Sequence, residues 1–315
     1  MKAVFFATAQ PMLVLFVCML IGFALRRLRL TPDNTATVLS RLETWVILPA
    51  LNLTTFMKYC TPSSLRENSA VILYSAGLIL LAVGIAILLS RFFAGKGYER
   101  GIYQYALTFG NYGFMGNALV PVILGEEYLY LYMLFTIPLV VVGYTWGMAI
   151  LTPREKKENI LKKLFNPTFC SVTLGIILGL TGVSEYIPGF VSTSLSNLGS
   201  CMGPLAMVLT GFIVGSYPFG KLLRQKRVYV ATALRLLVLP AIFLVGLKLL
   251  GAGEVTMKLC FFAYATPLGL NTVVFPAAYG GDTTTGAAMA TISHTLCVVS
   301  IPLMYALLTL LVGGA

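Results

Sequence analysis

The sequence is poor in charged residues and in histidine, and these shortages exclude several classes of protein. Only 10% of its 315 residues are charged, against about 25% in soluble domains. It has one histidine, His294, and six scattered cysteines without a CxxC pair, so no metal-binding or nucleophilic cluster is recognisable. A glycine-rich phosphate loop is also missing. The sequence therefore predicts that the protein is neither an enzyme nor an ATPase, with no cofactor and no metal site.

Apolar residues, by contrast, make up 58% of the chain and give it a mean hydropathy of +0.87. They occur in runs of about 20 residues, the length that an α-helix needs to cross a bilayer. The predicted spans, helices 1 to 10 in order, are 4–25, 37–57, 69–92, 101–124, 128–151, 167–184, 191–217, 228–250, 255–280 and 283–312. We therefore predict an all-α integral membrane protein with ten transmembrane helices, embedded in a lipid bilayer.

The net charge of +11 is unevenly distributed along the chain. Most lysines and arginines lie in alternate loops, at 26–41, 91–100, 154–163 and 221–227. Loops rich in basic residues stay in the cytoplasm, so this alternation accounts for the charge without a nucleic-acid partner. It predicts a multi-pass protein of the plasma (inner) membrane with both termini extracytoplasmic.

The two halves of the chain share a weak internal similarity. GNALVPVILGEE (116–127) aligns with NTVVFPAAYGGD (271–282), and ILPALNLTTF (47–56) aligns with CMGPLAMVLTGF (201–212). The aligned prolines are 155 residues apart in both pairs. The predicted repeats are 1–155 and 156–315, with five helices each. Because five is odd, the second repeat is inserted upside down, an arrangement typical of secondary transporters.

Helices 4 and 9 contain residues that weaken a helix. The segment FGNYGFMGNALVPVILG (109–125) holds glycines, asparagines and a proline, and 266–276 holds a similar set. Glycine lowers helix stability, and proline removes a backbone donor. We predict that both helices are broken and cross near the middle of the bilayer. The residues predicted to permit the breaks are Gly113, Gly116, Pro121, Pro267, Gly269 and Pro276.

These segments, together with VILPALNL (46–53), MGPLAMVLTGFIVG (202–215) and ALRLLVLPAIF (233–243), resemble the auxin efflux carrier family, in particular its bacterial members. That family includes plant auxin exporters and bacterial carriers assigned to malate or malonate. The resemblance implies the ten-helix fold of sodium/bile-acid symporters. It also implies a scaffold of helices 1, 2, 6 and 7, a transport domain of helices 3–5 and 8–10, and a homodimer.

A crossing of two broken helices offers free N–H groups to an anion and unwound carbonyls to a cation. The predicted function is secondary or facilitative transport of a small organic anion, a carboxylate, by an alternating-access, elevator-like mechanism. The candidate substrate-binding residues are Asn111, Gly113, Gly116, Asn117, Thr266, Asn271, Thr272, His294 and Arg235. The sequence leaves open the substrate, the direction of transport and coupling to H+ or Na+.

Several ionisable residues admit more than one interpretation. His294 either binds or relays a proton, or is a neutral side chain that donates to a carbonyl. Arg235 either holds a substrate carboxylate or extends to the cytoplasmic interface. Glu43 is predicted to pair with Arg41 at that interface. Asp282 either caps helix 10 or takes part in coupling.

Two other functions are weighed against carboxylate transport. A cation/proton exchanger of similar fold needs buried carboxylates at the crossing, and the sequence shows none there. A non-transporting membrane sensor would be favoured if one crossing had become a plain apolar helix, and both keep their glycines and prolines. Carboxylate transport is therefore the preferred prediction.

Overall fold

The computed structural model describes residues 2–95, 97–151, 166–279 and 281–313, and all regular secondary structure in these ranges is helical. In chain order the helices are α1 (Lys2–Arg27), α2 (a continuous rod of Thr35–Leu42, Glu43–Ile47 and Leu48–Tyr59), α3 (Ser69–Phe93), α4a (Tyr98–Thr108), α4b (Tyr112–Ile123), α5 (Glu126–Leu151), α6 (Pro167–Thr181), α7 (Gly189–Gly215), α8 (Lys226–Leu249), α9a (Glu254–Tyr264), α9b (Asn271–Tyr279) and α10 (Thr284–Gly313). The basic loop predicted at 154–163 lies outside the described residues.

Six of these helices, α1, α3, α5, α7, α8 and α10, are long and apolar enough to cross a bilayer. The helices α4b and α6 are apolar but shorter, and α2 is long but carries Arg41, Glu43 and Lys58. The predicted class, an all-helical multi-pass membrane protein, is confirmed. The count of ten spans and their inverted repetition stay predictions.

The helices α2 and α8 each contain a widened π turn that ends two residues before a proline, at Glu43–Ile47 and at Leu234–Val238. Proline donates no hydrogen bond to the preceding turn, and helices bend at prolines and at π turns. Such turns are frequent at functional sites. Each of these two holds a fully buried charged side chain, Glu43 in α2 and Arg235 in α8.

Glu43 does not form the predicted ion pair with Arg41. Its side chain is fully buried, and neither carboxylate oxygen has a hydrogen-bond partner in the part of the chain that the structure describes. Arg41 is exposed. Residues two apart on a helix point about 200° away from each other, so these two side chains face opposite sides of α2. The prediction of an interfacial salt bridge is wrong for this geometric reason.

The breaks in helices 4 and 9 lie upstream of most residues predicted to permit them. The chain leaves the helix at 109–111, between α4a and α4b, and at 265–270, between α9a and α9b. Of the predicted residues, Pro267 and Gly269 lie in the second break, whereas Gly113, Gly116 and Pro121 lie within α4b and Pro276 lies within α9b. A single proline removes only one backbone hydrogen bond, and both half-helices continue past theirs.

The helices α1 and α7 pack closely because glycines bring their backbones together. A Cβ atom on Gly22 of α1 would lie 2.0 Å from the carbonyl oxygen of Val208, and one on Gly211 of α7 would lie 1.8 Å from that of Met19. Similarly, α2 packs on α6 at Gly175. Small residues at such interfaces let membrane helices approach and associate.

We predict that Gly211→Ala destabilises the protein, although alanine is the better helix former. The added methyl group meets the backbone carbonyl of Met19, and overpacking of this kind costs about 1–3 kcal/mol of unfolding free energy. The matched control is Gly77→Ala in α3, where the methyl group has no neighbour within 4 Å and should stabilise the helix by up to about 1 kcal/mol. Thermal unfolding in detergent measures both variants. Equal shifts in the unfolding temperature of the two variants would contradict a close contact between α1 and α7.

Candidate functional site

The two broken helices touch each other at their breaks. The backbone N–H of Asn111 donates to the carbonyl of Pro267 over 2.7 Å, and Gly110 pairs with Leu268 as an isolated antiparallel bridge. Buried backbone that has left a helix needs other hydrogen-bond partners, above all inside a bilayer. Each break therefore supplies partners to the other.

Two glycines allow this contact. A Cβ atom on Gly269 would lie 3.2 Å from the carbonyl oxygen of Gly110. A Cβ atom on Gly110 would lie 2.5 Å from Oγ1 of Thr266 and 2.6 Å from Nη2 of Arg235. Gly110 is thus enclosed by a hydroxyl group and a guanidinium group, and the crossing is polar as well as tight.

Arg235 reaches the crossing from the π turn of α8. It is fully buried, its Nη2 donates to the carbonyl of Ala263 over 3.3 Å, and its Cζ lies 5.2 Å from the ring centre of Tyr264. One hydrogen bond and a cation–π contact replace only part of the hydration that a guanidinium loses on burial. Among the described residues, Nε and Nη1 have no hydrogen-bond partner, and neither has the hydroxyl of Tyr264.

The alternative in which Arg235 extends to the cytoplasmic interface is wrong. A side chain of that kind keeps its charged tip in water, whereas the whole of Arg235 is enclosed. The π turn that carries it packs against α4a and α10. The side chain therefore points into the helix bundle, towards the crossing.

His294 and Asn111 form a second polar contact at the crossing. Nδ2 of Asn111 lies 3.0 Å from Nε2 of His294, and Nδ1 of His294 lies 2.8 Å from the carbonyl oxygen of Ala290. A carbonyl oxygen only accepts, so Nδ1 carries a proton and donates to it. Nε2 then accepts from the amide of Asn111, as it does in a neutral histidine. These contacts match the interpretation of His294 as a neutral side chain, and the proton-relay role stays a prediction.

Two hydroxyl groups hold the break in α9. Oγ of Ser293, in α10, accepts from the backbone N–H of Leu268 over 3.1 Å. Oγ1 of Thr272 donates to the carbonyl of Gly269 over 2.9 Å. The unwound segment is therefore tied both to the next helix and to the start of α9b.

Three predicted site residues lie on α4b. Gly116 packs against α5, because a Cβ atom there would lie 2.0 Å from the hydroxyl oxygen of Tyr132. Gly113 has open space beside it, since its Cβ would meet nothing within 4 Å. Asn117 is buried, but no side-chain hydrogen bond described by the structure joins it to the crossing. Of these three, Gly113 is the one with room for a ligand.

Several residues at the crossing were not predicted from the sequence. They are Gly110, Ser293, Tyr264 and Tyr105, whose hydroxyl accepts from Nδ2 of Asn271 over 2.8 Å. Gly110 lies in the glycine-rich segment 109–125 that predicts the break in helix 4, so the sequence does point to this residue. Serine and tyrosine inside apolar helices are common, and the sequence shows no signal that distinguishes the other three.

Asp282 lies in the loop before α10. Its Oδ1 accepts from the backbone N–H of Thr284 over 2.9 Å, and hydrogen bonds from Thr284 keep the pKa of the Asp282 carboxyl below its usual range. This contact agrees with the capping interpretation. No group of three or more His, Cys, Asp or Glu that could hold a metal ion occurs in the described ranges.

Two buried, interlocked broken helices in an all-helical, multi-pass membrane protein are features of membrane transporters. Residues 7–305 match the family model described as "Membrane transport protein", and the chain belongs to this family. The match confirms the resemblance to the auxin efflux carrier family. Comparison with curated proteins finds no match. Membership of a transporter family agrees with the prediction that the protein is not an enzyme.

We predict that Asn111→Ala and His294→Ala each lower the free energy of unfolding by about 1–3 kcal/mol, because each leaves a buried polar partner unpaired. The double variant should lose less unfolding free energy than the sum of the two single losses, because both substitutions remove the same contact. The control, Arg66→Ala on an exposed helical turn, should change little. Denaturant unfolding in detergent gives the values. Strictly additive losses would show that the two side chains do not interact.

Proposed function

We propose that the protein is a secondary or facilitative transporter that moves a small organic anion, a carboxylate, across the plasma membrane. It works by alternating access, in which an elevator-like movement carries the crossing of α4 and α9 between the two sides. The candidate binding groups are Arg235, Asn111 and Thr266 together with the start of α4b. His294 orients Asn111.

The observation that carries this proposal is the buried guanidinium of Arg235. A buried cation that lacks a compensating charge costs several kcal/mol, and none of the ion pairs among the described residues involves Arg235. The N–H groups of Nε and Nη1 have no acceptor among the described residues, so they are available to a ligand. Guanidinium donors match carboxylate oxygens in geometry and charge. A carboxylate is therefore the ligand that this arrangement suits best.

The start of α4b adds further donors. The first N–H groups of a helix have no intrahelical acceptors and carry the positive end of the helix dipole. At the start of α9b, the N–H groups of Thr272 and Val273 donate to the carbonyls of Gly269 and Leu270. The start of α4b is less enclosed, because the space beside Gly113 is open. A carboxylate in the space beside Gly113 would accept hydrogen bonds from the first N–H groups of α4b.

The same residues argue against the two rival functions. A cation/proton exchanger needs a buried carboxylate at the crossing. The fully buried carboxylate in the described ranges, Glu43, lies in α2, outside the two broken helices. A non-transporting sensor would not need both breaks, and both are present. Transport of an anion is consistent with each of these observations.

The proposal includes ten spans in two inverted repeats, 1–155 and 156–315. In support, α2 and α7 are both distorted just before the prolines that share the 155-residue offset, at Glu43–Ile47 and at Cys201. We assign α1, α2, α6 and α7 to a scaffold because α1 packs on α7 and α2 packs on α6. The helices α3–α5 and α8–α10 form the moving transport domain.

The boundary between these two sets of helices suits a sliding movement. A void of about 10 Å³ between them is lined by Met12, Met19, Met115 and Met207 and by His294 and Cys297. Methionine side chains adapt to changing neighbours. Polar contacts join the two sets elsewhere, from Lys58 to Glu126 over 3.3 Å and from the hydroxyl of Tyr217 to that of Thr283 over 2.8 Å. An elevator-like movement would break and remake these contacts.

A homodimer built through the scaffold is proposed on the resemblance to the family. Apolar residues on the outside of α2, such as Trp45 with 68% of its surface exposed, are available to lipid or to a second copy. Mass measurement in mild detergent tests this assembly, and a protein that is only monomeric would count against it.

We predict that, after the exposed Cys170 and Cys201 are replaced by serine, Ser63→Cys reacts with a membrane-impermeant thiol reagent in intact cells and Leu223→Cys does not. Both positions are exposed. Leu223 lies in a basic loop, which the positive-inside bias assigns to the cytoplasm. Permeabilised cells, in which both should react, are the control. Labelling of Leu223→Cys alone in intact cells would reverse the proposed topology.

We predict that Arg235→Gln weakens binding of a carboxylate substrate by about tenfold or more, because a charge-assisted hydrogen bond contributes about 1.5–3 kcal/mol. Arg235→Lys should retain part of the affinity, since it keeps the charge without the planar geometry. Binding and uptake are measured with mono- and dicarboxylates and indole acids, with and without Na+ or a pH gradient.

The matched control is Arg224→Gln, which removes an exposed arginine from the loop before α8 and should bind and transport like the parent protein. If the Arg235→Gln variant folds correctly and still binds and takes up the carboxylate like the parent protein, the anion binds elsewhere.

A further inference from the structure

The end of α1, the loop that follows it and the end of α7 line an open cavity of about 660 Å³. Its lining includes Arg26, Arg27, Arg29, Thr31, Asp33 and Ser216. Three arginines face one carboxylate, so the cavity carries a net positive charge. The proposed carboxylate site at the crossing uses none of these residues.

The protein itself holds two of the three arginines. Arg26 donates to the carboxylate of Asp33, and its guanidinium lies 5.4 Å from the ring centre of Phe212. Arg27 donates from Nη2 to the carbonyl of Tyr217 over 2.7 Å. Guanidinium groups that are already held lose less conformational entropy when they bind an anion.

Arg29 occupies a position where glycine is the usual residue. Its φ is +54°, and the bonds from Arg29 N to Arg26 O and from Leu30 N to Leu25 O close the end of α1 as in a Schellman motif. A residue with a Cβ atom is strained in this conformation. None of the hydrogen bonds or ion pairs found among the described residues involves the Arg29 side chain. A strained backbone position thus carries a cation that lines the cavity and has no partner in the described part of the chain.

Two exposed apolar side chains flank Arg29 in the chain, although neither lines the cavity. Leu28 and Leu30, which flank Arg29, each have 66% of their surface exposed. Basic pockets between transmembrane helices on the cytoplasmic side bind anionic lipid headgroups, and guanidinium groups match phosphate oxygens. We propose that this cavity binds a phosphate group, such as the phosphodiester of an anionic phospholipid whose acyl chains lie against Leu28 and Leu30. A soluble phosphate compound would offer the same chemistry.

The test uses the full-length protein in a neutral detergent. Thermal stabilisation is measured against the concentration of phosphatidylglycerol, phosphatidylcholine or inorganic phosphate, and gives an apparent affinity for each. The variants are Arg29→Gln and Arg29→Gly, and the matched control is Arg41→Gln, which removes an exposed arginine outside the cavity. Glycine suits a φ of +54°, so Arg29→Gly should unfold at the parental temperature or above it when no ligand is present.

The expected result is that both Arg29 variants bind phosphatidylglycerol about fivefold more weakly than Arg41→Gln does, with no change for phosphatidylcholine. If inorganic phosphate binds with the same dependence on Arg29, the phosphate group alone is recognised and a soluble ligand is the source. If only phosphatidylglycerol binds in this way, the ligand is the lipid. The proposal is overturned if neither binds, or if the Arg29 variants bind phosphatidylglycerol as tightly as the control.

Discussion

The contact between the two unwound segments is the constraint on which the rest of the structure depends. Inside a bilayer, backbone groups that leave a helix have no water to bond to, so the N–H of Asn111 takes the carbonyl of Pro267 as its partner. The same contact favours glycine at position 110, because a Cβ atom there would lie 2.5 Å from Oγ1 of Thr266 and 2.6 Å from Nη2 of Arg235, and either side chain would have to move. The contact between the two segments therefore constrains both the residues of the first break, at 109–111, and the packing around them.

The arginine at the crossing and the arginines at the end of α1 differ in burial, and burial determines how strongly the charge of each side chain acts. Arg235 is enclosed, where the effective dielectric constant is low and a charge acts strongly, so the proposed anion site needs only a single guanidinium. The arginines at the end of α1 line an open cavity in which water and salt weaken each charge. The proposed binding of an anion there would therefore need several arginines acting together, with Asp33 opposing them.

Patterns along the chain identified the broken helices and, through Pro267 and Gly269, the position of the second break, but not that of the first. Pro121 and Pro276 lie inside the half-helices, because one lost hydrogen bond does not end a helix whose other bonds are intact. The breaks occur where the backbone of one segment can reach that of the other, as at Gly110 and Leu268. Glu43 does not pair with Arg41 for a related reason, since two residues that are close in sequence can lie on opposite sides of a helix.

By itself, the sequence determined the class of protein, the transporter family and which two helices are interrupted. These properties depend on hydropathy, charge and motifs that are read along the chain, and solvation by lipid acts on each segment separately. Only the tertiary structure decided that Arg235 lies at the crossing and that His294 meets Asn111. Arg235 bonds to a residue 28 positions away and His294 to one 183 positions away. Such contacts depend on how whole helices pack, and no local pattern contains that information.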